Sequence, residues 1–203
     1  MKMFVLILPL VATALAACQP TVGQSARYQF EYEPKIPVTL PAHAPSISQQ
    51  FRKSATPGES KDHLAIDVVA PKGTPVLAAA PGTVTRVQDG PIYGKRVEIT
   101  HGTDAQGRTI HTRYFHLDSQ TVVEGQKVAR GAQVGTLGHS GMLAGTLDHL
   151  HFSVLRDRET GPSEFVDPNA YWIKGPGLVE CFSPKRRYKT RVFGATYPVQ
   201  CAQ

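Results

Sequence analysis

An all-β fold, mainly antiparallel sheet with few short helices, is the architecture this sequence predicts. Three observations predict it. Short runs rich in Val, Ile and Thr recur between residues 58 and 171. Turn signals fall between them: Pro71-Lys-Gly73, Pro81-Gly82, Asp89-Gly-Pro91 and Gly102. Hardly any stretch carries a helical apolar period. The runs give strands at His63–Val69, Val76–Ala79, Thr83–Gln88, Arg96–His101, Thr109–His116 and His149–Arg156. The two glycine-ended units within Gly125–Gly135 read as tight bends, not as a repeat architecture.

The chain has 203 residues, 41% hydrophobic and 19% charged, which is enough for one domain with a core and excludes a disordered polymer. The formal net charge of +6 favours anionic partners by long-range attraction. No arginine-rich helix or aromatic RNA-binding signature accompanies it, so nucleic acid is set aside and the anionic polymers of a wall or a membrane surface remain.

Residues 1–17 form an address rather than part of the fold. Lys2 supplies a positive start, and the apolar run to Ala17 is short for a spanning helix. Its end, Leu15-Ala-Ala-Cys18, resembles the lipobox of bacterial lipoproteins. The resemblance implies that Cys18 becomes the new N-terminus and carries acyl chains, each buried methylene contributing about 0.8 kcal/mol. Gln19 stands where an Asp commonly signals inner-membrane retention. The expectation is therefore an outer-membrane lipoprotein facing the periplasm. Residues 18–57, with Pro34, Pro37, Pro41 and Pro45, read mainly as a tether, within which Tyr28–Tyr32 alternates as an edge strand would. Once Cys18 is given to lipid, Cys181 and Cys201 remain as an even pair, and an exported compartment permits a disulfide. Residues 173–203 form a basic extension, expected as a hairpin closed by that bond.

The chemistry-bearing residues lie between these flanks. In His149-Leu-His151-Phe-Ser-Val154, alternation sends Leu150, Phe152 and Val154 into a core and both imidazoles to the opposite face. Burying an imidazole pair without partners is costly, so a cleft is its natural place. In His63-Leu-Ala-Ile-Asp67-Val68, the same alternation puts His63, Ala65 and Asp67 on one face and Leu64, Ile66 and Val68 in the core. Ala65 leaves room for an ion, and imidazole nitrogen with carboxylate oxygen suits zinc. Either pair alone is more often a satisfied polar pair. Together they give four candidate groups, one more than an open catalytic zinc site needs. Of the other histidines, His101 ends a strand, His111 turns to the opposite face from His116, His139 sits in a turn and His43 in the tether.

Residues 60–171 resemble the lysostaphin-type, or LytM-like, zinc metallopeptidases of peptidoglycan. The first motif, H-x-G-x-D, is matched at His63–Asp67 apart from its glycine, which is Ala65 here. Tyr114-Phe-His116-Leu117 matches Tyr-x-His-Leu; Gly125 through Gly135 matches the glycine-rich stretch, with Val134 for its Ile. Gly138-His-Ser-Gly141 matches a G-x-[ST]-G turn, His149–Phe152 the H-L-H-F motif, and Val166-Asp-Pro168 with Tyr171 the closing pattern. The resemblance implies a sheet lining a groove, related to the barrel-sandwich hybrid. It implies one zinc held by His63, Asp67 and His151, with His116 and His149 beside it to orient or deprotonate water. It also implies hydrolysis of peptidoglycan peptide cross-links, by a D,D-endopeptidase in a Gram-negative envelope; the expected state, separately from the resemblance, is a monomer. Many Gram-negative relatives lose these ligands and activate amidases; here all five positions are intact. A lipoyl- or biotin-carrier sandwich, suggested by Ala78–Val84, lacks the modified lysine tip it needs. Ala65, and the connection Met142–Asp148, longer than usual, are the departures from the pattern.

Overall fold

A computed structural model describes residues 36–54 and 62–202. The signal segment, Cys18, the Tyr28–Tyr32 patch and the start of the expected domain at 58–61 lie outside the described residues. Ten strands form one sheet: β1 Ser46–Gln49, β2 Ile66–Val69, β3 Pro75–Leu77, β4 Gly82–Gln88, β5 Lys95–Thr103, β6 Thr109–Gln120, β7 Lys127–Val128, β8 Gln133–Leu137, β9 His149–Arg156 and β10 Glu164–Val166. The main path runs β1-β2-β9-β6-β5-β4-β7; β10 pairs with β9, and β8 pairs with β3 and β6. Every strand pair is antiparallel. Among the described residues, helix is confined to single 3-10 turns at Met142–Ala144 and Pro168–Tyr171. The all-β expectation holds.

The core lies on one face of this sheet. Ile66, Val68, Leu150, Phe152 and Val154 are fully buried there, as alternation in β2 and β9 requires. They meet Val97 and Ile99 of β5 and Ile110, Tyr114 and Leu117 of β6. The Tyr114 hydroxyl is buried with partners: it accepts from Ala79 N at 2.9 Å and from Thr112 Oγ1 at 3.1 Å.

Several sequence expectations need correction. The Gly125–Gly135 units are not bends alone, because β7 and β8 stand beside the positive-φ turns at Gly125 and Gly131. Segment 36–54 is not simply tether: β1 pairs along β2, because Ile47 and its neighbours cover core that β2 would leave open. The C-terminal extension is neither a hairpin nor an appendage. Cys181 and Cys201 are bonded, with Cα atoms 6.1 Å apart, but the segment between them forms isolated bridges rather than paired strands. Its Ala195, Tyr197 and Val199 are buried in the main core beside Trp172. Burial of such side chains contributes roughly 1.5–3 kcal/mol each, so the domain does not stop at residue 172.

The strand expected over His63–Val69 begins only at Ile66. Ala65 is a bend, Leu64 is half-buried rather than core, and His63 is held by a bridge to Arg52. Strand β6 carries a bulge. Val97 faces Tyr114 and Lys95 faces Leu117, so Phe115 and His116 together oppose Arg96. His116 has φ 63°, the sole positive φ at a non-glycine among the described residues. Imidazole-bearing residues enter this region more often than most, though at a cost.

Candidate metal centre

The site assembles from register. Asp67 in β2 lies directly opposite His151 in β9, and His151 lies opposite Phe115 in β6. Cross-strand partners on one face approach to about 5 Å, so pairing alone brings carboxylate and imidazole together. His151 Nδ1 stands 2.9 Å from Asp67 Oδ1. His63 enters from the bend before β2, its Nε2 3.2 Å from the same oxygen. One donor atom from each of the three lies within 4.8 Å of the other two.

The donor set fits a metal ion. His63 Nδ1 donates to the Gln50 carbonyl at 2.9 Å, which leaves Nε2 with its lone pair. That Nε2 is buried and has no hydrogen-bond partner; its approach to Asp67 is not aligned as a hydrogen bond. A buried lone pair beside a carboxylate oxygen is unfavourable unless a cation or proton sits between them. Burial pushes the Asp67 carboxyl up, but the hydrogen bond from His151 and the charges of His151 and His63 outweigh it, holding the group well below the usual carboxylate range. It is an anion that the surrounding imidazoles stabilise.

Two further imidazoles flank the triad. His149 Nδ1 donates to Leu147 O at 2.8 Å, and His149 Nε2 lies 3.9 Å from Asp67 Oδ1. His116 Nδ1 donates to Ser140 O at 2.9 Å. The rings of His116 and His149 are 5.0 Å apart, and those of His116 and His151 5.8 Å. Both flanking rings therefore hold the tautomer that presents an unprotonated Nε2. Burial, partly offset by the Ser140 hydrogen bond, pushes His116 down to about 4.

The Gly138–Gly141 turn explains how His116 is held. Ser140 Oγ donates to Leu117 O at 2.6 Å and accepts from Lys95 N at 2.9 Å, so it staples the bulge from both sides. A Cβ at Gly141, where φ is 86°, would lie 2.2 Å from Gly94 N, so no side chain fits this contact.

These groups open into a cleft of about 600 Å³, whose lining includes Ser48, Gln49 and Asp62, Tyr93 from the β4–β5 connection, and Leu143 to Leu147 before β9. The 142–148 connection stands out in the sequence by its length, whereas Tyr93 and the β1 wall carry no ligand spacing. Asp148 pairs with His139 at 2.6 Å, away from His149. His111 bonds Thr100 and Asp157 outside the cleft; it shares the face of β6 with Phe115, and the bulge turns His116 to that face too, so distance along the strand and not an opposite face separates the two histidines. His101 lies inside β5 rather than at its end, buried between Pro81 O and Thr112 Oγ1. His43 lies beside the Cys181–Cys201 bond.

Comparison with known proteins agrees with this geometry. The chain is 38% identical over 98 residues to the peptidoglycan DD-endopeptidase ShyC of Vibrio cholerae, covering 48% of this chain and 21% of that one. It thus spans about a fifth of that relative's length. A crystal structure of a zinc-containing peptidase from Vibrio cholerae superposes with a TM-score of 0.50 at 32% identity, over 66% of this chain and 38% of that one. The structure of LytU superposes with a TM-score of 0.52 at 30% identity, over 66% of this chain and 88% of that one. The model of peptidase family M23 matches residues 61–164, the span that carries all five clustered side chains, and the chain belongs to that family.

Proposed function

We propose that this chain is a zinc-dependent endopeptidase that hydrolyses peptide cross-links of peptidoglycan, a D,D-endopeptidase of cell-wall remodelling. The observation that carries the reading is the convergence of His63 Nε2, Asp67 Oδ1 and His151 Nδ1 on one point, with two imidazoles beside it that are anchored through Nδ1. Those three side chains would hold one zinc per chain. When bound, zinc supplies Lewis acidity that polarises a peptide carbonyl and lowers the pKa of a water to about 7.

The chain's own groups do the proton work. His116 and His149 are anchored through Nδ1, so Nε2 is the atom that accepts a proton from the attacking water. The imidazolium formed then holds the oxyanion by a hydrogen bond from Nε2 and passes that same proton to the leaving amine as the C–N bond breaks. Asp67, 3.9 Å from His149 Nε2, stabilises positive charge on that ring as it develops. Tyr93 and Leu147 line the cleft beside these groups. The name of ShyC, and the site it shares a family with, support a peptidoglycan cross-link as substrate.

Cys18 anchors the chain by lipid in the outer membrane, facing the periplasm, and the protein acts as a monomer; the lipobox-like Leu15–Cys18 and Gln19 support this placement. The test is to incubate the zinc-loaded full chain with cross-linked muropeptide dimers and read products by mass spectrometry, with His116→Ala alongside. Dimers falling to monomers, cut between D-alanine and diaminopimelate, are expected from the wild type and not from the variant. Dimers that survive with zinc bound would replace this reading by a non-catalytic regulatory lipoprotein.

A further inference from the structure

Two of the proposed metal ligands are held by sheet register, and the third is not. Asp67 and His151 sit in β2 and β9 as direct partners. His63 sits before β2, tied to the chain by a single bridge with Arg52, at 2.8 Å in both directions. Its ring needs another restraint, and one is present.

His63 Nδ1 donates to the Gln50 carbonyl. The Gln50 side chain is itself anchored: Oε1 accepts from Asn169 Nδ2 at 2.9 Å. Asn169 Oδ1 in turn accepts from Trp172 Nε1 at 3.1 Å. Gln50 is 9% exposed, Asn169 0% and Trp172 3%. An indole N–H can only donate, so Trp172 dictates which way the Asn169 amide faces. Asn169 then dictates the facing of Gln50. The side-chain bonds pin Gln50 in place, and its main-chain carbonyl, which can only accept, then fixes the His63 ring with its proton on Nδ1.

We infer that Gln50, Asn169 and Trp172 form a buried positioning relay that presets His63 as a metal ligand, so that segments on both sides of the family match at 61–164 complete the metal centre. This rests on the metal reading above. None of the three residues touches the metal or the substrate; they act through His63. The relay is high-stakes in the usual way of buried polar networks: cutting one link orphans the groups on either side. Partners of this kind are worth about 10- to 100-fold in metal affinity.

The test is a zinc affinity measurement on the full chain, by competition with a chromophoric chelator, for wild type, Gln50→Met, Trp172→Phe and His63→Ala. Ile99→Val, a core change in β5 away from the site, is the control for lost stability alone. The ¹⁵N shifts of the His63 ring in metal-free protein report the tautomer directly. The relay predicts that Gln50→Met and Trp172→Phe weaken zinc binding by about 10-fold or more and mix the His63 tautomers, while Ile99→Val changes neither. Unchanged affinity and tautomer in both relay variants overturns it, even with zinc bound tightly. Should Gln50→Met fail to fold, Trp172→Phe keeps the ring packing and carries the test. If His63→Ala binds zinc as well as wild type, the metal reading itself falls and the relay with it.

Discussion

Strands β9 and β6 place the two proton-handling imidazoles side by side, but by opposite means. In β9 alternation is unbroken: Leu150, Phe152 and Val154 are fully buried in the core while His149 and His151 face the cleft. In β6 alternation runs through Ile110, Thr112 and Tyr114 and then slips, so that Leu117 takes the next core place. His116 would point into the core of a regular strand; the bulge and its φ of 63° turn it to the cleft instead. A regular strand delivers ligands at every second residue. A third direction of approach requires a local break, and the energy of that break is met by the packing of Ser140 and Gly141 around it.

The largest expected effect separates the two strands by substitution. His116→Val and His149→Val should each lower the rate of cross-link cleavage by about 10²- to 10⁴-fold, the usual worth of a general base. Their stabilities should differ. A β-branched residue suits β9, and His149→Val should stay within about 1 kcal/mol of wild type. At His116 the same residue meets positive φ and should cost roughly 1–3 kcal/mol more. His116→Asn, which tolerates that φ, should lose activity but keep stability. Denaturant unfolding of the three variants measures the contrast; equal stabilities for the two valine variants would mean that the bulge stores no strain.

Next in size is the brace. Gly141→Ala introduces a Cβ into the Gly94 backbone, at a positive φ. It should move the turn whose Ser140 carbonyl holds His116, lowering kcat with little change in zinc affinity. A proportionate loss of zinc would show that the turn supports the triad rather than the flanking imidazole.

A separate effect is on stability against pH and belongs to His101, away from both strands' cleft faces. Burial, with charge from His111 and Arg130 against it and the Pro81 carbonyl in its favour, brings its pKa down from 6.5 to about 4. The unfolded chain takes up the proton first as pH falls. The stability this neutral ring contributes is therefore full above pH 6.5 and is lost progressively down to about pH 4. The loss is on the order of 3 kcal/mol, at about 1.4 kcal/mol per unit. Metal-free wild type should lose stability over that window more steeply than His101→Gln, by chemical denaturation at each pH.

The same contrast explains what the sequence made legible. The β9 limits, His149–Arg156, follow directly from period two, and the clustered five residues follow from motif order. His116 was found by motif and not by alternation, because a bulge leaves no periodic signature. The bend at Ala65 replaced half of an expected strand, since the His63–Asp67 spacing is satisfied by a turn that aims both donors at one point. Gln50, Asn169 and Trp172 were invisible. A side-chain amide reaching across 119 positions obeys no spacing rule. The buried end of the C-terminal extension was hidden by the run Lys185–Arg191, whose charge suggested a solvated tail, while Tyr197 and Val199 beyond it complete the core.

The most direct test of the account is to strip the full chain of metal, add zinc stepwise, and follow cleavage of cross-linked muropeptide dimers at each step. The account predicts no cleavage without metal, activity that rises linearly and levels at one zinc per chain, and none at any zinc level in Asp67→Asn. Cleavage by the metal-free chain, or full activity in Asp67→Asn, would contradict it.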